Sequence, residues 1–357
     1  MENYIDIIVD KKRYTQRTPH SKIIQKSLDN ETLKTFEDIY SLPLDVLCQI
    51  DYFLEMKEKP EDFFDCKIKD DGTLCIIDLK NDKVSTIIIP KEINGRKVTE
   101  VKPIFSFNYN VEKITIQDNL TELPTSFASN ANELVEVILP DTIDTISSGC
   151  FLHCANLLSI NLENITTIES LGFNFCLKLK EVSAPNLTAL HRGAFMDCSN
   201  LIKFLAPNLR LIEDKVFNGD LYLEKVEIGD KIKMLGVDCF LHCENLYDFK
   251  LPSQLEIIRA GCFSHCKSMK NFDFPETLKM VEKLAFADTD IETAIFPKNM
   301  ETIGEAIFFN CKNLKEIQMS KNTQKHKQAF SLEQELLIEL YESPKTKIKK
   351  ILKSMER

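Results

Sequence analysis

Apolar residues recur along most of this chain with a period of 22 or 23 residues. Within each unit they first alternate with polar residues, and a phenylalanine and a small residue then follow, three positions apart. A fixed period of this length is typical of a solenoid, in which each unit buries its apolar face only against its neighbours. We therefore predict a repeat solenoid of about ten units over residues 111–320. The opening apolar positions are Val111, Leu134, Leu157, Leu179, Leu201, Leu223, Leu246, Met269, Ile291 and Leu314.

The alternation inside a unit predicts a short parallel strand. In the unit that opens at Leu134, we expect Val137 and Leu139 to face the core. Glu136 and Ile138 alternate with them and should point outward. The recurring phenylalanines should stack in the core, where each contributes about 1.5–3 kcal/mol by burial. These phenylalanines are Phe127, Phe151, Phe173, Phe195, Phe217, Phe240, Phe263, Phe286 and Phe308.

The segments before the array lack the repeat. Residues 62–110 contain apolar runs at 64–68, 74–79 and 85–89, and we predict a β-rich cap that covers the first coil. Residues 1–61 have the spacing and capping residues of short helices, so we predict a helical N-terminal segment there.

The repeat also stops before the C-terminus, and residues 321–357 predict a capping helix and a basic tail. Ser331 and Gln334 have the spacing of a capping box, and residues 332–341 carry one apolar face. We expect this helix to cover the last coil. The predicted fold is thus an α/β-type repeat solenoid of short parallel strands, flanked by N- and C-terminal helices.

The repeated unit resembles a known family. The pattern L-x-x-I-x-L-P-x-x-(L/I)-x-x-I-x-x-x-x-F-x-x-C-x-x-L, seen at 134–157, 246–269 and 291–314, resembles the BspA-like leucine-rich repeat. Residues 70–99 also resemble the opening of such arrays, so the resemblance covers about 67–318. It implies a right-handed, curved leucine-rich repeat array used for adhesion or protein–protein recognition. It carries over no catalytic residues.

Composition narrows the possible partners and location. A net charge of -10 argues against binding to nucleic acid or to an anionic membrane. Met1 is followed by acidic residues rather than an apolar leader, and no apolar stretch is long enough to span a bilayer. We therefore expect a monomeric, cytoplasmic protein without a stable membrane anchor.

Six of the twelve cysteines occupy one position of the unit, three residues after the phenylalanine. Ala131, Asp220 and Thr289 fall in or near the same column. Coils that stack about 4.7–5 Å apart could admit disulfides between neighbouring units. Because the placement follows the packing pattern, we expect buried, reduced thiols instead. The six residues are Cys154, Cys176, Cys198, Cys243, Cys266 and Cys311.

Two adjacent units contain residue types that bind zinc: Cys239 and His242 in one, Cys262 and His265 in the next. Zinc needs four converging ligands, whereas cysteines on either side of a buried phenylalanine should point in different directions. We therefore expect packing here, and we predict no metal and no other cofactor. No phosphate loop, paired-acid site or catalytic triad stands out in the sequence, so we predict that the protein is not an enzyme.

The outward strand positions form the predicted site for a protein partner. An alternative interpretation is a solvated sheet face whose charges pair between neighbouring strands. Those pairs would be Glu181–Lys203, Lys225–Asp248 and Glu227–Lys250–Asp273. The predicted partner-binding residues are Glu181, Lys203, Leu205, Lys225, Glu227 and Lys250.

Two other functions stay open. Residues 42–54 resemble the first helix of an F-box, which implies an adaptor whose residues 29–60 recruit a ubiquitin ligase while the repeats select a client. The downstream tryptophan of that family is missing, because the chain contains no Trp, and an amphipathic helix packed on the array explains the same pattern. The second possibility is a surface adhesion protein exported without a standard signal.

Overall fold

The computed structural model describes residues 63–81 and 83–340. The predicted N-terminal helices, the F-box-like segment and the basic tail lie outside these residues. The described chain is a solenoid with two walls of short parallel strands, and a turn that carries the phenylalanine connects the second wall back to the first. Within the described residues, no helix has the length and apolar character needed to cross a bilayer.

The first wall contains eleven strands, which form three parallel sheets along the array. Asn271 bridges Thr293 where one coil lacks a full strand, so the wall spans twelve coils. The strands are β3 (Thr86–Ile89), β6 (Lys113–Ile116), β7 (Glu136–Ile138), β9 (Ser159–Ile160), β11 (Glu181–Ser183), β13 (Lys203–Ala206), β15 (Lys225–Ile228), β17 (Asp248–Phe249), β20 (Thr293–Ile295), β22 (Glu316–Met319) and β24 (Ile338–Leu340).

The second wall consists of two-residue strands that form two parallel sheets. In each of these strands the second residue is apolar and buried, except in the last one, so the wall closes the core opposite the first wall. The strands are β8 (Thr145–Ile146), β10 (Thr167–Ile168), β12 (Ala189–Leu190), β14 (Leu211–Ile212), β16 (Met234–Leu235), β18 (Ile257–Ile258), β19 (Met280–Val281), β21 (Thr302–Ile303) and β23 (Gln324–Lys325).

A mixed sheet precedes the array. It has the order β1–β2–β5–β4, formed by β1 (Phe64–Ile68), β2 (Leu74–Leu79), β4 (Glu92–Ile93) and β5 (Arg96–Val101). Asn94 and Gly95 connect β4 to β5 with φ of 51° and 73°, the left-handed conformation that a two-residue hairpin loop requires.

The predicted core is confirmed. All nine phenylalanines of the column are fully buried, and neighbouring rings contact one another along the solenoid axis. The Phe217–Phe240 and Phe240–Phe263 ring centroids are each 5.3 Å apart, and both pairs are stacked. The Phe240 amide donates to the Cys262 carbonyl at 2.8 Å, so a backbone ladder holds the turns in the same spacing as the rings.

The C-terminal helix prediction is wrong in its extent. The Ser331–Gln334 capping box forms, but the helix α1 (Leu332–Glu335) has only four residues. Leu332 is 89% exposed and Leu336 is 87% exposed, so these residues cover no core. The chain instead returns to the first wall as β24, because pairing with β22 continues the parallel ladder by one more coil. The ten coils predicted over residues 111–320 are present, and β3 before them and β24 after them extend the described array to twelve.

Candidate protein-binding face

The strand register brings the predicted site residues together. Glu181, Lys203, Lys225 and Asp248 lie side by side across β11, β13, β15 and β17. Ladder hydrogen bonds fix the backbone of these four strands, so their outward side chains project from a rigid surface. We call this surface the strand face, which consists of the outward residues of β11, β13, β15 and β17 together with Lys250.

A second column of the strand face runs parallel to the first. Ser183, Leu205 and Glu227 are in register across β11, β13 and β15. Leu205 is half-buried and Glu227 is exposed. β17 ends at Phe249, so the next residue, Lys250, lies outside the strand ladder. Lys250 is exposed, and Glu227 lies beside it in the preceding coil.

Only one of the predicted charge pairs on the strand face forms. Lys225 Nζ donates to Asp248 Oδ2 at 2.7 Å, and this hydrogen bond raises the pKa of the lysine. Among the described residues, Lys203 and Lys250 have no carboxylate partner. The Glu181–Lys203 and Glu227–Lys250–Asp273 pairs of the alternative interpretation are therefore not formed. β17 ends at Phe249, so the strand ladder does not hold Lys250 opposite Glu227.

A groove of about 500 Å³ lies beside the strand face. It forms where the spacing between first-wall strands increases from 22 residues (β13 to β15) to 23 residues (β15 to β17). The extra residue lies in the turn at Gly229, where a Cβ atom would collide with the Leu209 carbonyl oxygen. Glycine is therefore required there. The charged residues that line the groove are Arg210, Lys225, Glu227, Asp230, Lys231, Asp248 and Lys250.

Exposed tyrosine side chains, which the repeat pattern does not predict, border the strand face. Tyr247 is 65% exposed and directly precedes Asp248 of β17. Its amide donates to the Glu224 carbonyl, and the Glu224 amide donates to the Ile202 carbonyl, so the three residues lie in successive coils along one edge. Tyrosine exposed at a rigid edge is a residue type enriched in protein interfaces.

Tyr222 has a sequence signal that could have identified it. The equivalent residues Asn200 and Asn245 each donate a side-chain hydrogen bond to the preceding coil, to the Leu177 and Leu221 carbonyls at 2.6 and 2.9 Å. Tyr222 replaces this asparagine and is 55% exposed. Among the described residues, the Tyr222 side chain makes no such hydrogen bond to the preceding coil, and its ring stays at the surface.

The repeat identity follows from comparison with known proteins. The sequence profile described as the BspA type leucine rich repeat region matches this chain at residues 80–202, 125–247 and 233–350. The chain belongs to this family. A search of curated proteins finds no match.

Solved structures share the fold of this BspA-type array. A leucine-rich repeat protein from Bacteroides ovatus has a TM-score of 0.57 and 23% identity, over 74% of this chain and 65% of its own. The match thus spans just under two thirds of that protein. A leucine rich cell surface protein from Faecalibacterium prausnitzii has a TM-score of 0.51 and 17% identity, over 81% of this chain and 98% of its own. At these identities the similarity establishes the fold alone.

The zinc alternative does not fit the BspA-type turn. Cys239 and Cys262 are fully buried, whereas His242 and His265 lie at the surface and stack with ring centroids 4.4 Å apart. The thiols and the imidazoles therefore point to different sides. Within the described residues, no group of three or more His, Cys, Asp or Glu side chains is placed to hold a metal ion.

The cysteine column serves packing and hydrogen bonding. The described cysteines are free thiols, and all except Cys66 are buried. In most coils of the column the thiol donates to a phenylalanine carbonyl of the preceding coil, as Cys198 does to Phe173 at 3.0 Å. Burial raises the pKa of Cys154 to about 12, which keeps this thiol protonated and unsuited to nucleophilic chemistry.

Proposed function

We propose that this BspA-type array is a non-enzymatic protein-binding module whose partner contacts the strand face. The observation that carries the proposal is the combination of two lysines, Lys203 and Lys250, that form no ion pair with any described residue, with exposed tyrosines at the edge of the same sheet. A surface that was merely solvated would gain from pairing these charges between strands. A partner with carboxylates could form ion pairs with the two lysines, and it could bury the exposed ring of Tyr247.

The strand face is suited to recognition because its geometry is fixed before binding. Neighbouring parallel strands are about 4.8 Å apart, so Lys203 and Lys225 present charges at a regular spacing. A rigid surface loses little conformational entropy on association, which leaves more of the contact energy for affinity. The groove beside Lys250 offers room for a partner side chain.

We also place the protein in a reducing compartment, the cytoplasm, as a monomer. The buried free thiols support this location, because neighbouring thiols stay reduced where glutathione and thioredoxin act. Surface adhesion is the second candidate function, and the name of the Faecalibacterium cell surface protein favours it. An adaptor role would use the same strand face to select a client, with residues 29–60 as the recruiting segment.

Charge reversal on the strand face tests the proposal. The double substitution Lys203→Glu, Lys250→Glu should reduce capture of the partner from cells that express the protein by at least about tenfold, a loss typical of an interface hot spot. Quantitative mass spectrometry of proteins captured on the full chain measures the effect. Both lysines lie outside the core, so the fold should be retained.

The matched control is Lys312→Glu, Lys321→Glu. It makes the same change of charge at two exposed lysines in the last coils of the array, far from the strand face. Proteins that depend on the strand face should be lost with the first double variant and retained with the second. Identical sets of captured proteins for both variants would contradict the proposal.

A further inference from the structure

Asp220 is an unusual occupant of the cysteine column. It lies three residues after Phe217, where the neighbouring coils have Cys198 and Cys243, and it is fully buried. Neither carboxyl oxygen has a hydrogen-bond partner in the part of the chain that the structure describes. An ionised carboxylate in such a place would lose its hydration without compensation, which strongly disfavours the charged form.

The neighbouring coils show what the side chain at this position does. Cys198 Sγ donates to the Phe173 carbonyl at 3.0 Å, and Cys243 Sγ donates to the Phe217 carbonyl at 3.1 Å. By the same repeat, the acceptor available to Asp220 is the Phe195 carbonyl. A carboxylate cannot donate to a carbonyl, whereas a protonated carboxyl group has one O–H donor and can replace the thiol.

The charged groups around Asp220 do not favour its ionised form. Asp197 and the Cys198 thiol approach it from the preceding coil, and the Cys243 thiol approaches it from the following coil. No cation is among them. Burial, together with the negative charge of Asp197, raises the pKa of Asp220 well above its ordinary value, and the nearby Cys198 amide offsets this only in part.

We propose that Asp220 is a neutral carboxylic acid in the folded array, donating to the Phe195 carbonyl, and that its ionisation loosens the coils beneath the strand face as pH rises. Tyr222 follows Asp220 at the end of the same coil, and Lys225 lies in the first strand of the next coil. The loosened segment therefore includes the edge and the centre of the strand face. The proposal concerns the folding of these coils and stands whether or not the strand face binds a partner.

The direction of the pH effect follows from linkage. The unfolded chain releases the Asp220 proton near pH 3.9, whereas the folded chain retains it. The contribution of this residue to stability is therefore complete below about pH 3.9 and is lost progressively as pH rises toward the folded pKa. Over that range, the ratio of open to closed coil increases about tenfold for each pH unit.

The flanking thiols provide a local readout of this opening. Pulsed alkylation followed by mass spectrometry measures how fast Cys198 and Cys243 react in the full chain between pH 5 and pH 7. Each rate is divided by the rate in denaturant, which removes the intrinsic pH dependence of thiol reactivity. In the wild type, we expect the corrected labelling of both thiols to rise up to about tenfold per pH unit relative to Asp220→Asn.

Three comparisons make the outcome decisive. Asp220→Cys restores the repeat and should remove the pH dependence even if Asp220→Asn folds poorly, whereas Asp273→Asn, an exposed control, should leave it unchanged. The wild type should also show the infrared absorption of a protonated carboxyl group at pH 7. Equal pH dependence in the wild type and in the Asp220 variants would overturn the proposal, as would absence of the protonated carboxyl band.

Discussion

At the residue scale, the phenylalanine column dominates the packing of the array. Phe240 contacts the rings of Phe217 and Phe263 in the coils on either side, so its loss leaves a cavity that neither neighbour can fill. Because the twelve coils are joined only to their neighbours, such a cavity weakens two interfaces at once.

Phe240→Ala should therefore reduce the free energy of unfolding by about 3–5 kcal/mol, as measured by urea denaturation followed by circular dichroism. The control is Phe309→Ala, because Phe309 is 59% exposed and its truncation should change the free energy of unfolding by less than about 0.5 kcal/mol. A similar loss in both variants would show that the phenylalanine column does not carry the stability.

Burial was predictable residue by residue, but the pairing of surface charges was not. The period of the sequence places Phe240 and Cys243 in the core, because every unit repeats the same spacing, and both are fully buried. The partner of Lys250 depends on where β17 ends, which no periodicity specifies. The exposure of Tyr247 was not predictable for a related reason. Tyrosine occurs at this position in one unit, so the repeat pattern gives no indication of its role.

At the element scale, the array ends in a strand, although the local sequence pattern predicts a helix there. The capping box at Ser331 is a genuine helix start, and residues 332–341 have an apolar face of helical spacing. The ladder with β22 nevertheless outweighs local helix propensity after one turn, because a longer helix would leave the β22 backbone unpaired. Tertiary pairing of this kind is not encoded in the local sequence.

Gln334 connects this short helix to the array, and its loss should make the last coil less stable. Its side-chain amide donates to the Phe308 carbonyl at 2.8 Å, and its carbonyl oxygen completes the capping box at Ser331. Gln334→Ala should destabilise β24 by about 1–2 kcal/mol, seen as faster amide hydrogen exchange in residues 338–340. Glu333→Ala, at an exposed position of the same turn, should leave that exchange unchanged; equal acceleration in both variants would contradict this assignment.

At the scale of the whole molecule, the period alone identifies the fold, whereas the site depends on departures from the period. The described array is built from coils that differ little, and the sequence therefore establishes the solenoid and its family. The strand face differs because the repeat length changes near Gly229 and because tyrosines replace or border the regular positions. Two of its lysines also form no ion pair within the described part of the chain. Such departures are visible in the sequence, but their spatial convergence requires the structure.

The central claim is that the strand face, rather than the opposite wall, contacts a protein partner. Site-specific photocrosslinking tests it most directly, with a photoreactive amino acid at Leu205 of β13 in one protein and at Met234 of β16, on the second wall, in another. In cells that express the full chain, the Leu205 position should form a discrete covalent adduct, which Lys203→Glu, Lys250→Glu abolishes, and the Met234 position should form none. An adduct at Met234 alone, or none at Leu205, would contradict the account.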